Sequence, residues 1–355
     1  MNHLLLRVSC LSVCLVLIFF SNAPSLLADE ATATSNPPAS ATPSPTPDDP
    51  LIPIPPATPP PLPTNVEVFS IKTSSVDNPE VPFYVRKPAG YDPAAQGKVY
   101  RVLFLCPGLG GKAIDLIDDT AVMKMADSNG WFLIAPTFRM RRSEAHDRSK
   151  SFYYPAIFAG QSVLDALDEI AKKYPIDTHH LLLSGASGGG HFVHRFAAWA
   201  PDRVVAVIIY SCSWFDSPTP AGAKIAWLLL VGDSDPAYKE MLDFVSQLKG
   251  LGALPIMKSV MGQSHAGLVL DKSRGEAFLT FYDKLTAADL GKDTSAADKT
   301  KPTMAMSATN MPFVGDLQSF HYVTNTEENR KKINEDDRVY LPSEEIAKMW
   351  GVQDE

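Results

Sequence analysis

From residue 66 onward, short unbroken apolar runs alternate with stretches of helical spacing. The runs at 66–71, 82–86, 99–105, 131–135, 180–184, 204–210, 225–231 and 256–260 read as strands. Between and after them, 113–128, 156–173, 188–199, 237–248 and 275–285 read as helices. In 156–173, for example, Val163, Leu164, Leu167, Ile170 and Ala171 recur at helical spacing. Continuous apolar strands separated by amphipathic helices predict an α/β fold: a mostly parallel, twisted sheet of about eight strands, covered by helices on both faces. The first two strands have only a turn at Asp77-Asn78-Pro79 between them, which predicts an antiparallel edge. In such sheets the functional loops lie at the carboxyl ends of the strands.

The flanks follow other patterns. Residues 1–28 combine a positive start at Arg7, an apolar run over 8–20 and a small, polar stretch, the plan of a secretory signal peptide. The run is about 13 residues, short of the ~20 that cross a bilayer. Residues 29–63 read as a proline-rich, disordered linker, because 13 prolines in 36–63 exclude helix and sheet and favour an extended spacer. The domain expected to carry the chemistry is 64–287. A polar linker follows at 288–312, then a tail at 313–355 with strand-like runs at 320–323 and 338–341 and a helix opened by Ser343. The tail is expected to dock on the domain or on a partner. The signal-like start places the mature chain outside the cell, in the periplasm or at the cell surface, touching membrane only through an uncleaved signal segment.

Charge narrows the function. The net charge of −8 over 355 residues sits in the flanks. Residues 288–355 hold eight Lys/Arg against thirteen Asp/Glu, and 1–63 hold one Arg against four acids. The domain between is neutral and lacks the basic footprint of a nucleic-acid binder. Cys106 and Cys212, both at strand ends, are the two cysteines of the mature body, and their pairing is open.

The chemistry gathers at Gly185-Ala186-Ser187-Gly188-Gly189, which follows a buried strand and opens a helix. In that context G-x-S-x-G is a nucleophile elbow. A serine hydroxyl needs a base, and after such an elbow the partners follow in the order Ser, acid, His. Of eight histidines, His265, just after the 256–260 strand, has the right place. The acid belongs after the 225–231 strand, in Gly232-Asp233-Ser234-Asp235-Pro236. Asp235 is preferred, Asp233 is the rival and Asp216 a distant third. An oxyanion hole would use the backbone N–H of Gly188 and one from Cys106-Pro107-Gly108-Leu109-Gly110-Gly111, Leu109 first and Gly110 second.

These residues resemble the α/β-hydrolase superfamily, most of all secreted esterases of the polyhydroxybutyrate depolymerase and feruloyl esterase kind, over roughly 66–287. Dienelactone-hydrolase-like and peptidase relatives share the resemblance. It implies an α/β-hydrolase fold without cofactor, acting on small or polymeric esters. Such families usually carry His-Gly at the oxyanion loop, where this chain has Cys106-Pro107-Gly108. Two further readings stand beside it: a peptidase using the same triad, and an inactive hydrolase fold used for binding at the cell surface.

The interval between the 204–210 and 225–231 strands is too short for a large lid, so an open site is expected, with Trp214 and Phe215 as candidate pocket residues. The loop around Arg139, Arg141, Arg142, Arg148 and Lys150 is net basic and reads first as a solvated surface. His191 and His194 share a helix, but no third ligand at suitable spacing makes them a metal site.

Overall fold

The computed structural model describes residues 49–53, 61–95, 97–265 and 307–354, all within the unit Thr42–Glu355. The expected signal peptide, most of the proline-rich linker, the closing helix at 275–285 and most of 288–312 lie outside the described residues.

Eight strands form one sheet. They are β1 (Val66–Lys72), β2 (Glu80–Arg86), β3 (Val102–Cys106), β4 (Phe132–Pro136), β5 (Leu181–Ala186), β6 (Val204–Tyr210), β7 (Ala226–Gly232) and β8 (Ile256–Val260). Their order across the sheet is β1-β2-β4-β3-β5-β6-β7-β8. The β1–β2 and β2–β4 pairs are antiparallel, and every later pair is parallel. Every residue of β3 to β7 is buried. Successive side chains point to opposite faces of a strand, so both faces of the sheet are covered. The covering helices are α1 (Ala113–Ile117), α2 (Thr120–Asn129), α3 (Ala159–Ala171), α4 (Gly188–Trp199) and α5 (Tyr238–Gly250).

The chain runs from β3 outward to β4, then returns to place β5 on the other side of β3. This reversal of strand order opens a crevice beyond the carboxyl ends of β3 and β5. Cys106 and Gly185 are register partners there, at the ends of the two strands.

One expectation is corrected. The single helix over 113–128 is two helices, because Asp119 accepts from Ala121 N–H and Val122 N–H, both at 3.0 Å, and restarts the helix as an N-cap. Short acids compete for backbone donors and so favour caps over helix interiors. Helical spacing of the apolar residues passes through such a break unchanged.

The tail forms a second sheet from β9 (Phe313–Asp316), β10 (His321–Thr324), β11 (Arg338–Leu341) and β12 (Val352–Gln353), in the order β11-β9-β10-β12. Two helices, α6 (Glu327–Lys332) and α7 (Glu344–Trp350), complete it, α7 capped by the Ser343 hydroxyl on Ile346 N–H. It docks on the edge strand β8. Trp350 is fully buried, its indole N–H donates to Met257 O at 2.7 Å, and Lys258 Nζ donates to Met349 O and Trp350 O. An edge strand left bare is a template for mispairing, and the tail covers this one. Gly315 leaves room for the indole: a Cβ there would lie 2.2 Å from Trp350 Cζ3.

The end of the proline-rich stretch is also docked. Ile52 and Met140 exchange two backbone hydrogen bonds of 3.0 and 2.8 Å, and Asp49 accepts from Arg142 N–H and Ser143 N–H. Ile52 packs on Gly110, where a Cβ would lie 3.2 Å from its Cδ1.

Asp177 joins α3 to β5. Burial alone would raise its carboxyl, but His180, the His179 N–H and Arg101 outweigh it and hold it at about 2. A carboxylate depressed on folding contributes stability that is present above its unfolded pKa, near 3.8, and lost as pH falls toward 2. Two outcomes are expected. Asp177→Asn lowers stability at pH 7 by about 2 kcal/mol and flattens the loss between pH 4 and 2, as read from urea melts across that range. Trp350→Ala costs about 3–5 kcal/mol, read from the denaturant midpoint.

Candidate active site

β5 ends at Ala186 and α4 begins at Gly188, so a single residue turns the chain. That residue is Ser187, at φ 51 and ψ −118. L side chains rarely adopt this conformation, and holding it costs about 1–3 kcal/mol. Two backbone bonds fix it: Ser187 N–H donates to Tyr210 O at 3.0 Å, and Ser187 O accepts from His191 N–H at 3.1 Å. The flanking glycines are required by contact. A Cβ on Gly185 would fall 2.4 Å from Gly189 O, and one on Gly189 would fall 2.0 Å from Cys106 O.

The loop after β3 lies against this turn. A Cβ on Gly188 would meet Leu109 N at 2.6 Å, and one on Gly108 would meet Ala186 O at 3.3 Å. The two expected oxyanion donors, Gly188 N–H and Leu109 N–H, are therefore neighbours. Leu109 N–H donates to no group among the described residues. Gly188 is the first residue of its helix, a position with no carbonyl one turn back inside the helix. Gly188 N–H is a backbone dipole at a helix N-terminus, suited to a developing negative charge, and Leu109 N–H belongs to the loop beside it.

The acid and the histidine follow β7 and β8, on the same carboxyl edge. Asp235 is buried, and its Oδ2 lies 3.1 Å from His265 Nδ1. Its other oxygen accepts from Ala237 N–H at 2.9 Å. The rival Asp233 is engaged elsewhere. Its Oδ1 accepts from Gly262 N–H at 2.9 Å and shapes the histidine loop. That loop is clamped to the acid loop, since Ser234 N–H donates to Gln263 O, and a Cβ on Gly232 would lie 1.9 Å from the same oxygen. Asp216 binds Arg195 at 3.1 Å and is not the partner of His265. The His265 side chain is 46% exposed, and among the described residues its one hydrogen bond is to Asp235. It forms none with the Ser187 hydroxyl.

The two candidate pocket aromatics separate. Trp214 is 49% exposed, at φ 51, and stacks on His191 with centroids 5.2 Å apart. Glu240 holds it through its backbone N–H at 2.6 Å. Phe215 instead stacks on Phe244 at 4.3 Å and belongs to the core packing. The intervening loop, 211–225, carries only a short 3-10 turn, and no lid is inserted.

His191 and His194 are buried in α4 and neutral. Burial first, then nearby His194 and Arg195, pull His191 down to about 2, and burial with Arg195 pulls His194 to about 3. His194 Nδ1 donates to Gly190 O and its Nε2 accepts from Asp216 N–H, which fills both ring nitrogens. Among the described residues no three His, Cys, Asp or Glu gather as a metal site. Cys106 and Cys212 are both free and buried, and burial raises both thiols. The basic loop is largely paired, Arg141 with Asp77 and Lys150 with Glu144, both at 2.9 Å. A separate open groove of about 490 Å³ in the tail sheet shares no residue with this site, and its acids Asp316 and Asp354 pair with Ser319 and His321.

The structure adds one residue that the sequence does not single out. The Tyr153 hydroxyl comes within 2.7 Å of a Cβ placed on Gly188. The one signal is an aromatic run, Phe152-Tyr153-Tyr154, in the segment between β4 and α3.

The glycine contacts give a direct expectation. Gly189→Ala destabilises the fold by about 1–3 kcal/mol through overpacking. Gly250→Ala, at the end of α5 where a Cβ meets nothing within 4 Å, stabilises by about 0.4–1 kcal/mol. Urea midpoints of the two variants test the contrast.

No family model and no curated protein matches the chain. Solved structures are similar to part of it. A ferulic acid esterase is similar over 61% of this chain and 96% of its own, at 17% identity and TM-score 0.49. An S-formylglutathione hydrolase from Staphylococcus aureus is similar over 61% of this chain and all of its own, at 16% identity and TM-score 0.46. A poly(aspartic acid) hydrolase from Sphingomonas is similar over 62% and 98%, at 15% identity and TM-score 0.47. The activity is not carried by likeness at this level. The fold is carried by the chain itself: the strand order, the elbow after β5, and the acid and histidine after β7 and β8 make it an α/β-hydrolase fold.

Proposed function

We propose that this protein is a secreted serine hydrolase that cleaves carboxylic esters through an acyl-serine intermediate. The observation that carries the reading is the strained Ser187 at φ 51, at the head of a helix whose first residue, Gly188, lies against Leu109 N. Among the positive-φ residues other than glycine, Ser187 alone joins a buried parallel strand directly to a helix, which is where a nucleophile elbow presents its hydroxyl. The Asp235–His265 pair on the same sheet edge supplies the base.

The residues divide the work as follows. Asp235 accepts a hydrogen bond from His265 Nδ1–H and so fixes the tautomer that leaves Nε2 basic. When an ester occupies the crevice, His265 Nε2 takes the Ser187 hydroxyl proton. Oγ bonds to the carbonyl carbon, and the π pair moves to the carbonyl oxygen, held by Gly188 N–H and Leu109 N–H. Collapse expels the alcohol, which receives the proton from His265. Water then repeats the sequence on the acyl-serine and frees the acid. Triad hydrogen bonds are often long before substrate binds and tighten in the complex, which fits the half-exposed His265. No cofactor is called for.

The substrate reading rests on the open site. With no lid in 211–225 and Trp214 half-exposed at the rim, the crevice suits ester groups on bulky or polymeric molecules. Secretion rests on the signal-like residues 1–28.

A fluorophosphonate probe tests the core of the reading. Wild type labels and Ser187→Ala does not; an unlabelled wild type sinks the hydrolase reading in favour of a binding role. Steady-state rates on p-nitrophenyl esters then separate the acids. Asp235→Asn lowers kcat by about 10³–10⁴-fold. Asp233→Asn loses one loop hydrogen bond, about 1 kcal/mol, and stays within about fivefold. Faster turnover of peptide anilides than of esters would replace esterase with peptidase.

A further inference from the structure

Tyr153 is the buried group beside the site that the triad scheme leaves unused. Its ring is sandwiched in place, 4.7 Å from His191 and edge-on to Phe152 at 4.9 Å. Its own hydrogen bond is made by the backbone, N–H to Ser151 Oγ at 3.2 Å. The phenolic oxygen has no hydrogen-bond partner among the described residues. The ring is buried, but the oxygen is not one of the sealed, unpartnered polar atoms among the described residues.

Its position explains what the partner would be. A single point, the Cβ that Gly188 lacks, lies 2.6 Å from Leu109 N and 2.7 Å from the Tyr153 hydroxyl. The phenolic oxygen and Leu109 N thus border one point beside Gly188, the residue after Ser187. We propose that Tyr153 is a third oxyanion donor, its hydroxyl hydrogen-bonding the substrate carbonyl oxygen as negative charge builds there. The inference rests on the ester-hydrolase reading of the same site and adds a side-chain donor to it.

The step balances without proton transfer from the phenol. The Ser187 proton goes to His265, the Oγ–carbon bond forms, and the carbonyl π pair becomes the third lone pair of the oxyanion. Leu109 N–H, Gly188 N–H and Tyr153 O–H each donate to that oxygen and keep their protons. Burial first, then the nearby Cys212 and Cys106, pushes the phenol above its ordinary range. It therefore stays protonated, and a donor, through the neutral range. The geometry also explains why the 188 position is glycine: a side chain there would occupy the space that the phenol and Leu109 N–H border.

Tyr153→Phe in the full chain removes the hydroxyl and keeps the ring on His191. Thermal melting and burst titration with a fluorophosphonate confirm an intact fold and count competent sites. The expected result is a kcat on p-nitrophenyl acetate about 10²-fold lower per competent site, with KM within about threefold. The rate constant of fluorophosphonate labelling falls in parallel, because the phosphonyl oxygen fills the same hole. An active wild type with a Tyr153→Phe kcat within threefold of it overturns the Tyr153 role alone. A loss that appears only as raised KM and lowered melting temperature overturns it in favour of packing. If wild type itself neither labels nor hydrolyses esters, the hydrolase reading falls, and this inference with it.

Discussion

The candidate active site depends on one close approach: the first turn of α4 against the end of β3. Backbone meets backbone there, with no room for a single methyl group at Gly189 over Cys106 O. The contact does two things at once. It forces the reversal onto one residue, which puts Ser187 into a conformation that only surrounding structure can hold. It also brings the loop after β3 alongside the helix N-terminus, so that Leu109 N lies against Gly188. The proposed nucleophile and the proposed anion site are positioned by the same packing.

Much of this is legible in the pattern of residues. The strands over 204–210 and 256–260 and the helix over 188–199 fall where the apolar pattern puts them, because buried parallel strands and an elbow helix leave continuous apolar and glycine signatures. Asp235 is legible through Pro236 and its distance from Gly232, yet two residues of loop geometry decide between it and Asp233, and only coordinates resolve that. Three features are hidden for physical reasons. The break at Asp119 leaves hydrophobic spacing unchanged. The strand β9 is four residues long, and its central Gly315 serves an indole 35 residues away. Tyr153 acts through where its oxygen ends up, and an aromatic in a loop carries no spacing that announces this.

The histidines of α4 show how a polar cluster can be structural beside chemistry. His194 ties Gly190 O to Asp216 N–H, and Arg195 reaches Trp214 O at 2.7 Å and the Asp216 carboxylate. The loop bearing Trp214 is thus hung from the elbow helix rather than from its own strands. Neutral rings suit this work, since a charged imidazole beside Arg195 in a dry interior would be repelled and poorly solvated.

The short docked stretch around Ile52 sets where the working unit begins. Proline content alone would draw the border near residue 64, yet a fragment trimmed there would strip Met140 of its bridge and leave two amides, at 142 and 143, without their carboxylate. It would also bare the outer flank of Gly110, next to the loop that presents Leu109. The anchored residues 49–53 therefore border the very loop whose amide is proposed to hold the oxyanion.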